Sequence, residues 1–207
     1  MSDKKLVSPG TLLNPVPVVL VSCGSGENKN LITIAWTGTI NSDPPMVYIS
    51  VRKNRHSHKL ISESGAFVIN LVNEEMAKAV DFCGVKSGRD IDKFKACGFT
   101  ALDAERVTAP IVAESPLNIE CLIKDTLEFP SHDMFIAEVV KVHADYALID
   151  EKGRIRLDNA GLVAYNHGEY FGLKKKPIGK FGYSVMKPST RRRINRENNT
   201  YRRRHRK

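Results

Sequence analysis

The chain has 207 residues, 42% of them hydrophobic, and a net charge of +9 at neutral pH. This length predicts one domain with extensions, and the composition excludes collagen-like and wholly disordered chains. The longest apolar run, residues 16–21, is too short to span a bilayer, so we expect no membrane association.

Cysteine usage indicates a reducing environment. The four cysteines (Cys23, Cys83, Cys97 and Cys121) are widely spaced and form no C-x-x-C pair, which fits neither a zinc site nor a disulfide framework. Residues 1–5 are polar and basic but no apolar segment follows them, so we expect no signal peptide. Together these features predict a cytoplasmic location.

The positive charge is concentrated at the end of the chain. Residues 188–207 contain eight Arg and one Lys against a single Glu, a net charge of +8, which leaves only +1 for the other 187 residues. We therefore divide the chain into a globular domain, residues 1–187, and a basic tail, residues 188–207. The tail has no hydrophobic period, so we expect it to be disordered, and its charge would suit nucleic acid. The alternative is a tail without a role.

Apolar runs between turn signals predict short strands. From the start of the chain these are residues 16–22, 31–40, 46–52, 66–72, 117–124, 134–142 (continuing towards 149), 161–165 and 170–171. Alternation in the second run places Ile32, Ile34 and Trp36 on one face. Residues 41–45, NSDPP, predict a turn.

Helical signals are fewer. Ser57 is a candidate N-cap for a helix to residue 62, and Asn73 for a helix over 74–82 that Gly84 ends. Residues 85–99 predict a loop followed by one or two helical turns. Many short strands and few helices indicate a mainly β fold with helical excursions (α+β), built around a β-barrel.

Polar residues mark the predicted hairpin of residues 31–52 and the segment after it. Thr33, Thr37, Gly38 and Thr39 decorate its first strand, and a cationic, hydroxyl-bearing segment of residues 52–58 follows its second. A glycine lets backbone approach a ligand, and cations beside a helix N-terminus suit phosphate. The pattern predicts a site for a planar, phosphate-bearing cofactor. A barrel bend and a solvated charged loop would explain the same residues.

The chain resembles the flavin reductase-like family, and within it the flavoredoxin-type members. The resemblance covers about residues 15–187. It depends on four segments in order: ITIAWTGTINSDPPMVYISV, the R-x-S-H of residues 55–58, AFVINL of 66–71, and SGRDIDKF of 87–94. Their combination is specific, whereas any one of them alone is not.

The resemblance implies an FMN-binding split β-barrel and a homodimer with FMN near the subunit interface. The ring would lie against the backbone of residues 35–39. The phosphate would lie by the polar segment after the next strand and by the loop with Ser87 and Lys93. The candidate cofactor-binding residues are Ala35, Trp36, Thr37, Gly38, Thr39, Ser50, Val51, Arg52, Lys53, Ser57, His58, Ser87 and Lys93.

For several of these residues, an ordinary role in packing or in a turn is the alternative to cofactor binding. We expect the Trp36 side chain to pack in the core with Ile32 and Ile34, while its backbone contacts the cofactor. Ser50 and Arg52 share a strand face opposite Val51, so both can point into one site. Lys93 could equally belong to an ordinary amphipathic turn, and His167, in a predicted hairpin loop of residues 166–168, is only a weak candidate.

The sequence predicts no metal site and no catalytic side-chain constellation, and it lacks Rossmann, P-loop and nucleophile-elbow motifs. The first functional hypothesis is an FMN-dependent oxidoreductase that takes electrons from NADH or NADPH. Its acceptor would be free flavin, a metal complex or a redox protein. The second is an FMN electron carrier without its own nicotinamide reaction, and the third is nucleic-acid binding through the tail.

Overall fold

The structure is a computed structural model that describes residues 3–174, 177–190 and 192. The chain forms two compact units, Met1–Leu173 and Lys174–Lys207. Within its described residues the second unit has a 3-10 turn, Tyr183–Val185. Most of the predicted basic tail, residues 191 and 193–207, lies outside the described residues. None of the described helices is both long and apolar enough to cross a membrane.

The first unit is mainly β. Its strands are β1 (Val16–Pro17), β2 (Val19–Cys23), β3 (Asn30–Ile34), β4 (Thr37–Ser42), β5 (Pro45–Arg52), β6 (Ala66–Leu71), β7 (Ala101–Leu102), β8 (Ile111–Val112), β9 (Leu117–Glu128), β10 (His132–Ala144), β11 (Val163–Asn166) and β12 (Glu169–Gly172). Its α-helices are α1 (His56–Ser64), α2 (Ala77–Val85) and α3 (Lys93–Cys97). The predicted class, mainly β with helical excursions, is confirmed.

Seven antiparallel strands form the main sheet, in the order β3-β2-β6-β9-β10-β5-β4. The two edge strands, β3 and β4, are consecutive in the chain, and only Ala35 and Trp36 separate them. Three Cα–Cα steps span at most about 11 Å. The sheet must therefore curl until its two edges approach each other. The Ser50 amide donates to the Trp36 carbonyl at 2.9 Å, which extends the β4–β5 pairing into the link.

Strand β2 is buried on both faces, which explains its unbroken apolar sequence. One face, with Val19 and Val21, joins the barrel interior, which also holds Ile49, Phe67 and Phe135. The other face packs beneath α2 and α3 in a second cluster, whose members include Leu20, Leu31, Val80, Cys83 and Phe94. A smaller sheet, β1-β11-β12, borders this second cluster through Val163, Tyr165 and Tyr170. Helices α2 and α3 are thus fixed against the outside of the barrel.

The predicted single strand of residues 31–40 is wrong, because it is two strands on opposite edges of the sheet. Alternation continues from Asn30 to Ile34 and then stops at the link, so Trp36 does not share the face of Ile32 and Ile34. The Trp36 side chain is 42% exposed. Our expectation that it packs in the core is therefore also wrong.

Helix starts were predicted with mixed success. The Asn73 side chain accepts from the Met76 amide at 3.0 Å, as predicted, although it caps a 3-10 turn, Glu74–Met76, that leads into α2. Helix α2 continues through Gly84 to Val85. Ser57 is not an N-cap, because α1 begins at His56 and the buried Ser57 hydroxyl accepts from Asn30 Nδ2 at 2.8 Å.

The last strands follow the prediction with shifted bounds. Strands β9 and β10 form a hairpin longer than predicted, and the expected continuation towards residue 149 is a 3-10 turn, Tyr146–Leu148. The tight loop of residues 166–168 is confirmed. Its residues His167 and Gly168 have φ angles of 51° and 96°, which a reversal between β11 and β12 requires.

Candidate functional site

Two adjoining cavities open between the barrel, helix α2 and the loop that precedes α3. The first, the aromatic cavity, has a volume of about 380 Å³. The second, the basic cavity, has a volume of about 440 Å³. Ile32, Arg52 and Arg55 line both, so the two cavities are direct neighbours.

Aromatic side chains from distant strands border the aromatic cavity. Trp36 and His132 lie with ring centroids 4.6 Å apart, and Tyr165 and Tyr170 meet edge to face at 5.4 Å. The Tyr170 hydroxyl donates to Asp81 Oδ1 at 3.1 Å. Apolar walls beside oriented polar groups suit a planar ring with polar edges.

The position of His132 follows from strand register. His132 pairs directly opposite Arg52, at the start of β10 and the end of β5. Burial lowers the pKa of His132, and the neighbouring Arg52 guanidinium lowers it further. The imidazole is therefore held towards its neutral form, in which it can both donate and accept a hydrogen bond.

The basic cavity concentrates positive charge. Six of its described lining residues are basic and none of them is acidic; the six are Arg52, Arg55, His56, Lys86, Arg89 and Lys93. They come from the end of β5, the start of α1, the loop after α2 and the start of α3. Such a cluster repels itself unless an anion is present, so the arrangement is that of an anion site.

Lys93 is the most enclosed of these cations, with only 4% of its surface exposed. Its Nζ donates to the carbonyls of Leu31 at 2.7 Å and Cys83 at 2.8 Å. Burial lowers the pKa of Lys93, and Arg55 also lowers it. Asp92 fixes its position by capping α3 through the Lys95 amide at 3.1 Å. A bound anion would restore the preference for the charged ammonium.

The loop of residues 86–89 is shaped to border this cavity. The Arg89 amide donates to the Ser87 hydroxyl at 3.2 Å, which turns the chain. Gly88 lies so close to the Asn30 side chain that a Cβ at residue 88 would collide with it. His56 sits opposite, and its pKa is lowered by burial first and then by Arg89 and Lys93.

The structure brings together seven of the thirteen predicted cofactor residues. Those that line one or both cavities are Ala35, Trp36, Ser50, Arg52, Ser57, Ser87 and Lys93. Ser50 and Arg52 share a face opposite the buried Val51, as predicted. Val51 itself belongs to the barrel core.

Lys53 and His58 lie elsewhere. Both engage the buried Asp133, with Lys53 Nζ 3.1 Å from Oδ1 and His58 Nε2 2.7 Å from Oδ2. Burial alone would raise the pKa of Asp133, but the His58 and Lys53 contacts lower it overall. These residues therefore join α1 to the β5–β10 pair rather than line either cavity.

The segment Thr37 to Thr39 also lies outside the cavity linings. The Thr37 hydroxyl donates to the Tyr48 carbonyl at 2.6 Å. Gly38 faces the Tyr48 ring across the β4–β5 pair, where an added Cβ would stand only 3.0 Å from a ring carbon. Within one chain, cross-strand packing explains Gly38.

Sequence reasoning missed several lining residues. His132 and Asp81 reach the aromatic cavity from parts of the chain far from residues 31–58. Lys86, beside the predicted Ser87, could have been found from the density of cations around that serine. His167, the weak candidate, lies at the β11–β12 turn, where its amide donates to Asn14 Oδ1 at 3.3 Å.

Comparisons with known proteins agree with this architecture. The chain is 33% identical over 129 residues to the uncharacterized protein PYRAB12460 of Pyrococcus abyssi, which covers 62% of this chain and 74% of that protein. It superposes on the flavoredoxin of Desulfovibrio vulgaris (Miyazaki F) with a TM-score of 0.81 and 29% identity, over 88% of this chain and all of that one. The flavoredoxin of Methanosarcina acetivorans gives a TM-score of 0.81 and 27% identity, over 89% of this chain and 100% of that chain. Residues 12–174 match the model of the flavin reductase like domain, and the chain therefore belongs to the flavin reductase-like family.

Proposed function

We propose that this protein binds FMN across the two cavities and transfers electrons from NADH or NADPH to an acceptor. The observation that carries the proposal is the basic cavity, whose described lining has six basic side chains and no acid, and which shares three lining residues with the aromatic cavity. One cavity suits a ring and the other a phosphate. Membership of the flavin reductase-like family supports flavin as the ligand.

The residues present fit such a cofactor. Arg52, Arg55 and Arg89 can offer paired N–H donors to a phosphate, and Lys86 and Lys93 add point charges. Trp36 and Tyr165 offer apolar surface to the ring. FMN, when bound, supplies the hydride and electron chemistry, while these side chains orient it and set the electrostatics around it.

The experiment that tests this function is spectroscopic. Protein purified with added FMN and freed of excess ligand should be yellow, and denaturation should release FMN that chromatography distinguishes from FAD. Addition of NADH or NADPH without oxygen should bleach the flavin absorbance. A colourless protein that takes up no added FMN would overturn the proposal.

A flavin electron carrier is the second candidate. Its support is the structural likeness to two flavoredoxins over their whole length. The bleaching step separates the two functions. FMN that stays oxidised with both nicotinamides but accepts electrons from a chemical reductant would favour the carrier.

We also propose that the functional form is a homodimer with FMN near the subunit interface. Large apolar side chains remain partly exposed on the barrel strands and their loops, among them Trp36, Ile40, Leu127 and Phe129. A second copy would cover such a surface. Light scattering on the eluting protein should give twice the chain mass of 23.1 kDa. A monomer at micromolar concentration would contradict this assignment.

A further inference from the structure

Two of the four cysteines meet although they are distant in the sequence. The sulfur atoms of Cys83 and Cys97 are 3.6 Å apart. Cys83 lies buried in the last part of α2, and Cys97, at the end of α3, is partly exposed. The other two, Cys23 and Cys121, are separately buried in the barrel interior. Spacing in the chain does not indicate this pair, because only the packing of α2 against α3 brings the two residues together.

The chain between the two cysteines forms one wall of the basic cavity. Residues 84–96 include Lys86, Ser87, Gly88, Arg89 and Lys93, all of which line that cavity. Cys83 lines it too, and its carbonyl accepts from Lys93 Nζ at 2.8 Å. A covalent link between residues 83 and 97 would therefore close this cationic wall into a ring.

We propose that Cys83 and Cys97 are an oxidation site, at which a peroxide forms an intramolecular disulfide that holds residues 84–96 in place around the basic cavity. A disulfide needs its sulfurs about 2.05 Å apart, so the pair must close by about 1.5 Å. This closure would come from rotation of the two side chains and a shift of α3, a helix of only five residues.

The reaction balances with peroxide as the oxidant. The Cys97 thiol loses its proton, the thiolate attacks one oxygen of hydrogen peroxide and the O–O bond breaks. The products are Cys97 sulfenic acid and hydroxide, which takes up that proton to give water. The Cys83 sulfur then attacks the Cys97 sulfur, and the S–O bond breaks to release a second water. Two thiols are oxidised and one peroxide is reduced. Burial raises the pKa of Cys83, so the more exposed Cys97 is the sulfur that meets the oxidant first.

Thiol mapping tests the disulfide without any reference to flavin. The full-length protein would be treated with hydrogen peroxide, alkylated, digested without reductant and examined by mass spectrometry. We expect a peptide pair joined through Cys83 and Cys97 that disappears on reduction. The Cys121→Ser variant should still form it, and the Cys97→Ser variant should not. Free alkylation of both residues in oxidised protein, or oxidation of Cys97 without a link, would overturn the proposal.

The consequence for the cavity rests on the proposed function and is measured separately. A closed ring removes open conformations of the wall, so FMN should leave the oxidised protein about threefold to tenfold more slowly than the reduced protein. The Cys97→Ser variant should show no such difference after peroxide treatment. Equal release rates with the disulfide mapped would overturn the role of the ring and leave the oxidation site standing. Absence of FMN binding would instead count against the proposed function alone.

Discussion

At the scale of single residues, the side chains of the basic cavity are those that a bound anion would stabilise most. Burial already disfavours the charged form of Lys93, and Arg55 adds to the cost. His56 is also held towards its neutral form by burial and by the cations around it. A phosphate would offset these costs with several charge-assisted hydrogen bonds, each worth about 1.5–3 kcal/mol.

Substitution of the exposed arginines tests this assignment with little risk to the fold. Arg55→Gln and Arg89→Gln should each weaken FMN binding by about tenfold or more, because each removes a charged donor to the phosphate. Isothermal titration or equilibrium dialysis measures the effect. Lys95→Gln is the matched control, since Lys95 is exposed on α3 and lines neither cavity. If the affinity for FMN were unchanged in both arginine variants, the phosphate would not be bound by these two side chains.

Lys93→Met tests the enclosed cation of the same cavity. Loss of its ammonium should also weaken FMN binding, but it leaves the Leu31 and Cys83 carbonyls without their donor, so stability should fall by about 1–3 kcal/mol as well. Urea unfolding without FMN measures the second effect independently of the first. A variant of normal stability and normal affinity would contradict both roles.

Trp36 provides an internal reporter, because it is the only tryptophan and lines the aromatic cavity. Its fluorescence should be quenched as FMN fills the site, because flavins absorb at the wavelengths at which tryptophan emits. The Trp36→Phe variant should keep FMN binding within about tenfold and lose the signal. If FMN bound without any change in tryptophan emission, the flavin ring would lie elsewhere than beside Trp36.

The sequence predicted part of this site. The cations of residues 52–58 and Lys93 could be recognised from the sequence because they cluster within short segments. Lys53 and His58 belong to the same segment but face Asp133, because strand β5 has ended and α1 turns them away. His132 carries no local signal, since only strand pairing brings it to the cavity.

At the scale of elements, a buried carboxylate ties a loop to the barrel. Glu120, on β9, is fully buried and accepts from the amides of Glu105, Arg106 and Val107 at 2.6–3.1 Å. His143, on β10, approaches it at 2.5 Å. Burial alone would raise the pKa of Glu120, but His143 and the amides of Glu105 and Arg106 lower it overall.

Glu120→Gln should therefore destabilise the fold by about 2–4 kcal/mol, because an amide presents donors where only an acceptor fits. Since the folded-state pKa of Glu120 lies below its ordinary value of 4.5, its contribution is present above that pH. The contribution is lost as the pH falls through the folded-state pKa. Urea unfolding at pH 7 and pH 4 measures both effects.

The control for that measurement is Glu151→Gln, at an exposed position in a turn. It should unfold like the unsubstituted protein at both pH values. If Glu120→Gln were as stable as this control at pH 7, the carboxylate would not be holding the loop.

Elements were more predictable from the sequence than their arrangement. Strand alternation located β5 and β6 to within a residue or two, and Asn73 marked the start of the helical segment before α2. The break at residues 35–36 was not predictable, because apolar and hydroxyl residues continue through it without a Gly or Pro. The break exists because the sheet closes, which is a property of all seven strands.

At the scale of the whole molecule, most of the net positive charge lies in a different part of the chain from the two cavities. The family match ends at residue 174, whereas a net charge of +8 belongs to residues 188–207. The sequence alone established where the net charge lies, since this requires only counting the charged residues in each segment. It did not reveal the two cavities, which depend on packing of α2, α3 and the β11–β12 hairpin around the barrel.

Removal of residues 188–207 should leave FMN affinity within about twofold and abolish any salt-sensitive binding to nucleic acid, because electrostatic contacts to phosphates carry such binding. Fluorescence anisotropy with a labelled single-stranded oligonucleotide measures the second effect. Nucleic-acid binding that persists in the truncated protein at moderate salt would show that the tail is not responsible. Loss of FMN binding would show that the cofactor site extends beyond residue 187.

The central claim is that the basic cavity recognises the phosphate of FMN, and comparison of FMN with riboflavin tests it most directly. Both ligands carry the same ring, so their affinities for the same preparation differ only through the phosphate. We predict that FMN binds at least about a hundredfold more tightly than riboflavin, as expected for two or more charge-assisted hydrogen bonds. This preference should shrink in the Arg89→Gln variant. Equal affinity for the two flavins, or binding of neither, would contradict the account.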